Sequence, residues 1–170
     1  IYDYGLIVRD DWHPVIWRRA NGGSWSSYDL SSTALGLVYN EDSHYALSMA
    51  VDHLGRIWVA GNSHATAHKV VYSDAGSITN WNTWTAPAWM SHSPYSTYHT
   101  FNVWSDGQLF WNFDGIHAPD TGVGRDWLAL RMNITTNVWE PVYGDGRLMR
   151  VDDHGIPSTD NKPDRSYILN

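Results

Sequence analysis

The chain contains no cysteine, which removes disulfide frameworks and thiolate chemistry and leaves the redox compartment open. Lysine is nearly missing: Lys69 and Lys162 are the only two in 170 residues. Acidic side chains outnumber basic ones 18 to 11, for a formal net charge of −7. Phosphate backbones are gripped by clustered Lys and Arg, so the expected partners do not include nucleic acid. The same balance argues against an anionic membrane surface. No apolar run approaches the length of a membrane-spanning helix and no signal-peptide pattern opens the chain, so no membrane insertion is expected. Phenylalanine is scarce as well, at 3 residues, whereas Trp and Tyr number 11 and 10. Their apolar bodies and polar tips suit sheet layers and sugar-stacking surfaces alike, with most of the Trp expected in the core.

Helix signals are poor throughout. Gly, Asn, Asp, Ser and Thr interrupt the sequence at short intervals, and the runs between them are rich in β-branched and aromatic residues. The expected fold class is all-β. A four-strand unit also repeats. Its middle copy is Ala46–Val51, Arg56–Ala60, His68–Tyr72 and Trp81–Trp84, and the next is Tyr98–Trp104, Gln108–Phe113, Trp127–Met132 and Val138–Val142. An earlier, incomplete copy holds Pro14–Arg19 and Trp25–Leu30, and a further copy is expected to begin with Arg147 to Val151. Trp25, Trp84 and Trp139 mark the ends of the three copies. Antiparallel four-stranded units repeated in this way are the signature of β-propeller blades. The expected layout is a single domain over 1–170, with blade-like repeats at about 5–30, 44–85 and 98–142 and the start of another at 146. About three blades fall short of the roughly 4–8 that close a ring, so further blades from a longer chain or an oligomer are expected. The opening residue, Ile1 rather than Met, agrees with a chain that is processed, cut or partial. The polar tail from Pro157 to Asn170 reads as a loop.

The middle copy carries the first candidate chemistry. Asp52-His53-Leu54-Gly55 suits a tight hairpin between Tyr45–Val51 and Arg56–Ala60, which places the outer ends, His44 and His64, side by side on one sheet edge. Such a pair suits acid–base work or metal binding, or is simply solvated, with His44 hydrogen-bonded to Asp42. His64 and His68 are four apart, a ligand spacing on a helix that loses its force in a loop leading to a strand. No metal site is assigned and no cofactor is required, with room left only for a structural zinc or calcium. His92, His99 and His117 lie in or near loops, and His13, His53 and His154 read as turn residues. Ser73-Asp74-Ala75-Gly76-Ser77 with Trp81 reads as an Asp-box turn without catalytic content. Asp114, Asp120, Asp126 and Glu140 are not fixed in a glycosidase pair, and no G-x-S-x-G turn is present.

Several motifs occur in order: Asp42-x-His44, Met49-Ala50-Val51-Asp52-x-x-Gly55-Arg56-Ile57, Gly61-Asn62-x-His64, Thr97-Tyr98-x-x-Phe101, Asp106-Gly107-x-Leu109, and Gly122-Val123-Gly124-Arg125-Asp126-Trp127 before Trp139. Over about residues 25–142 this series resembles the BNR-repeat propellers that include ulvan lyases. The resemblance implies a secreted or extracellular polysaccharide lyase, or a related module on a virion or cell surface, whose partner is a polysaccharide or surface glycan. It further implies that His44 and Tyr98 match the catalytic acid/base pair, with His64 as a second pocket histidine. Arg125, Asn62, Trp58 and His99 are the expected substrate contacts. The family tends to carry an arginine near the end of the second strand of the Tyr98 blade; here the residues are Asn112-Phe113-Asp114. A cation there would engage a uronate carboxylate, and an aspartate would repel it. Arg125 takes that role if the Gly-rich loop folds back. The expected function is β-elimination on an acidic polysaccharide, and the alternative is a non-catalytic glycan- or receptor-binding module, as in a phage tail fibre.

Overall fold

A computed structural model describes residues 2–38, 43–64, 66–91, 94–105, 107–116, 125–142 and 147–151. Three antiparallel sheets follow one another along the chain. The first is β1 (Tyr2–Val8), β2 (Pro14–Ala20) and β3 (Trp25–Asp29). The second joins β4 (Leu47–Val51), β5 (Ile57–Gly61), β7 (Val70–Ser73) and β8 (Trp81–Thr83) in that order. Between β5 and β7 lies the two-residue β6 (Thr66–Ala67), which pairs across to the third sheet at Tyr95 and Ser96. That third sheet holds β9 (Tyr95–Val103), β10 (Leu109–Ile116), β11 (Arg125–Met132) and β12 (Trp139–Pro141). The strand expected to open a further copy, β13 (Arg147–Val151), instead pairs antiparallel with β11. The all-β expectation and the blade-like repeat are thus observed. The first sheet also gains β1, which the sequence pattern does not mark out as a separate strand.

Side-chain alternation explains why the sheets stack. Successive residues of a strand point to opposite faces, and all five residues of β5 are buried. Ile57 and Val59 enter a core with Ile16, Leu30, Leu35 and Val71, supported by Tyr4, Leu6 and Tyr28 of the first sheet. Trp58 and Ala60 enter a second core with Val70, Phe101, Trp111, Phe113, Leu130 and Trp139. The middle sheet is therefore packed on both faces, as a propeller blade must be.

Turn chemistry fixes the register. The buried Asp52 carboxylate accepts hydrogen bonds from the Leu54 and Arg56 amides at 2.9 and 3.0 Å, from Arg56 Nε at 2.6 Å and from Trp58 Nε1 at 2.9 Å. Gly55 supplies the positive φ of 76° at that turn. The Asp-box residues form the β7–β8 turn: Ser73 Oγ accepts from the Ile57 amide at 3.0 Å, and Asn82 donates to Asp74 at 2.9 Å. Both turns lie at the opposite end of β5 from His64. Among the described residues, no helix is long and apolar enough to cross a membrane.

Candidate functional site

At the other end of the middle sheet, three features bring two chain segments together. His44 lies in a single 3-10 turn, Ser43–Tyr45, that feeds β4. Gly61 ends β5 with φ 138°, and a Cβ there would run into the Ala46 carbonyl oxygen and sit 2.9 Å from the Leu47 Cα. Only glycine lets the segment leaving His44 cross so close to the segment approaching His64. Asn62 then turns into the left-handed region, φ 52°, with its side-chain amide donating to the Leu35 and Leu37 carbonyls. The His44 and His64 rings consequently stack at 3.9 Å with 2° between their planes. Tyr45 meets His64 edge-on at 6.0 Å.

Tyr98 reaches this pair from the neighbouring sheet. Its strand slips register between Asn112 and Asp114, so Tyr98 and His99 face Phe113 as two residues against one. Tyr98 sits in that bulge at φ 54°, is 38% exposed, and brings its ring to 4.8 Å from His44 at a 35° tilt. Bulges re-aim side chains beside functional sites, and a non-glycine residue held at positive φ stores strain that its surroundings must support. Two imidazoles and a phenol, each at least partly exposed, thus meet where two blades adjoin. A neutral imidazole can take a proton, and a phenol can donate or accept one.

Beneath the site lies a buried hydrogen-bond chain. Trp111 Nε1 donates to His99 Nδ1 at 3.1 Å, and His99 Nε2 lies 2.8 Å from Ser63 Oγ. An indole N–H can only donate. His99 Nδ1 must therefore accept, so the ring's proton is on Nε2 and is given to Ser63. Burial, helped by the nearby His68, pushes the His99 imidazole down to about 3, so it is neutral at ordinary pH.

The residues expected to touch substrate are placed unequally. Trp58, Asn62 and His99 are 2%, 1% and 6% exposed, and their polar groups bond to Asp52, to the Leu35 and Leu37 carbonyls, and to Ser63 and Trp111. They support the site from inside. Arg125 opens β11 opposite Ile116, at the same sheet end as Tyr95. Its side chain, residues 117–124 with His117, and Asp42, His92, Asp106 and His154 lie outside the described residues. Asp114 is 3% exposed, on β10 between Thr97 and Trp127. His68 packs edge-on against Trp84, Trp111 and Phe113. Among the described residues, no group of three or more His, Cys, Asp or Glu could hold a metal ion. Sequence reasoning missed Ser63, Tyr45 and Trp111. Ser63 had one available signal, its place between Asn62 and His64.

The BNR repeat-containing family matches the chain over residues 8–151. Among solved structures, polysaccharide lyase Uly1 superposes with a TM-score of 0.62 at 15% identity, covering 82% of this chain and 38% of that one. A PL25 ulvan lyase bound to -[GlcA(1-4)Rha3S]- gives 0.58 at 17% identity, covering 82% of this chain and 34% of its own. A second structure of a PL25 ulvan lyase gives 0.58 at 18% identity with the same coverage. The chain spans little more than a third of the length of these lyases, whose likeness at such identities is one of fold. No curated protein matches the chain.

Proposed function

This chain belongs to the BNR repeat-containing family, and we propose that it is the site-bearing part of a polysaccharide lyase that cleaves an acidic glycan by β-elimination. The observation that carries this reading is the meeting of the His44, His64 and Tyr98 rings, from two blades, at one place. β-Elimination from a 4-linked uronide removes the proton alpha to the carboxylate and breaks the bond from C4 to the bridging oxygen. The electron pair of the C–H bond becomes the new C4–C5 double bond. In this reading a neutral imidazole of the stacked pair takes the proton, and the Tyr98 hydroxyl protonates the departing oxygen. Charge growing on the carboxylate needs a preplaced cation or donor. Arg125 is assigned that role; its strand begins opposite Ile116, three residues along β10 from Phe113, which the bulge bearing Tyr98 faces. A polymeric substrate of this kind fits an extracellular or secreted protein.

The test is the ultraviolet absorbance of the unsaturated product on ulvan-like and other uronic acid polymers. Product is expected from the parent chain and lost in His44→Ala and Tyr98→Phe. No product across the panel refutes the enzyme.

A second reading is a non-catalytic module that binds a glycan or receptor at a virion or cell surface. It is favoured by Asp114, which stands where the family tends to carry a cation, and by exposed aromatic side chains such as Trp104, 53% exposed. Glycan-array binding without turnover is its expected result.

A further inference from the structure

The stacked imidazoles lie at the end of the middle sheet and the phenol in a bulge of the neighbouring one, so the two segments must be held in place relative to one another. Resting on the lyase reading of the site, we propose that His99 is the positioning residue that does this, clamping the loop bearing His64 to the bulge bearing Tyr98. Ser63 immediately precedes His64, and His99 immediately follows Tyr98. The 2.8 Å hydrogen bond between their side chains therefore joins the second and third blades one residue from each of the two rings.

The clamp has a defined direction. Trp111, on β10, donates to His99 Nδ1 and leaves Nε2–H to reach Ser63, whose side chain is fully buried. A protonated ring would aim an N–H at the indole N–H, so only one tautomer of the neutral ring satisfies both partners. The ring packs against two neighbouring aromatics of β10, 5.6 Å from Trp111 at 19° and 5.6 Å from Phe113 at 23°. Trp111 and Phe113 belong to the core shared by the two blades, so the clamp is anchored in that core. Ser96, 3.5 Å from Ser63 Oγ, gives the hydroxyl a second neighbour on β9. Neither Ser63 nor His99 touches solvent enough to meet a sugar; their action runs through the residues next to them in sequence.

The experiment uses the full chain with Ser63→Ala, Ser63→Thr and His99→Phe. His99→Phe keeps a ring against Trp111 and Phe113 while deleting both hydrogen bonds, and Ser63→Ala deletes one of them from the far side. Two readouts are taken: the ring C–H resonances of His44 and His64 by NMR without substrate, and kcat and KM on an ulvan-like polymer. In the parent chain the two rings shield each other, and both resonances are displaced by the partner ring. Folded Ser63→Ala is expected to lose that displacement and to lose about 10–100-fold in kcat with KM little changed, the size of effect expected for a misplaced catalytic group. Ser63→Thr, which restores the hydroxyl, is expected to recover both. A folded Ser63→Ala or His99→Phe protein with parental ring resonances overturns the proposal. So does a fall in kcat with those resonances unmoved, since the serine would then act by another route. If the parent chain turns over no polymer, the lyase reading fails by itself, while the substrate-free resonances still decide the clamp.

Discussion

Acid should destabilise this fold through one buried imidazole. His99 has an ordinary value of 6.5 when exposed in the unfolded chain, and burial beside His68 lowers it to about 3 in the folded one. Between those values the unfolded chain binds a proton that the folded chain refuses, so stability falls as pH drops from about 6.5 toward 3. Each unit of difference corresponds to about 1.4 kcal/mol, so the total available is on the order of 5 kcal/mol. Between pH 7 and pH 4.5 roughly half of that is lost, on the order of 2–3 kcal/mol against the 5–15 kcal/mol typical of whole domains. The assay is urea unfolding of the parent chain and of His99→Gln at the two pH values. Glutamine keeps an acceptor for Trp111 and a donor for Ser63 but does not titrate, so it separates His99 from the carboxylates that also respond to acid. The parent should lose on the order of 2–3 kcal/mol more than the variant over that interval. Equal losses in the two proteins would refute the reasoning, and with it the buried neutral tautomer.

Two further outcomes follow from the way the sheets are tied. Asp52→Ala removes the acceptor for Trp58 Nε1, two backbone amides and Arg56, and should cost about 3–5 kcal/mol in denaturant unfolding, as breaking a buried charged network does; Asp52→Asn, which keeps one oxygen, should cost less. Gly61→Ala forces a methyl group against the Ala46 carbonyl at a φ that side chains avoid, and should cost about 1–3 kcal/mol while parting the stacked histidine rings in NMR spectra.

The strand pattern and its repetition are visible in the sequence because they depend on local chemistry. Asp52 and Gly55 announce a hairpin, alternation of apolar residues announces the strands, and together they bring His44 and His64 to one sheet end. What is hidden depends on a second neighbour. Trp58 and His99 read as sugar contacts because an aromatic or imidazole side chain on a strand has two faces to choose from. The structure buries both, since the middle sheet is covered on each side and β9 turns His99 toward the core. Arg147 to Val151 was legible as a strand, but its pairing with β11 is a long-range choice that no local pattern encodes.

The site itself is built where period-two reasoning breaks down. Tyr98, Thr100 and Asn102 alternate outward as any strand would have them, yet Tyr98 reaches His44 only because an extra residue is inserted opposite Phe113. A bulge is a property of two strands in register, so one strand's sequence cannot display it. Asn62 presents the same difficulty in a turn. It takes a left-handed conformation, tolerable for Asn, because Leu35 and Leu37 of a preceding loop receive its amide. Both irregular residues flank the hydrogen bond from His99 to Ser63. The backbone strain at this site and the buried clamp beneath it are therefore two halves of one device. The strain turns the rings toward each other, and a neutral imidazole locked between an indole and a hydroxyl keeps them there.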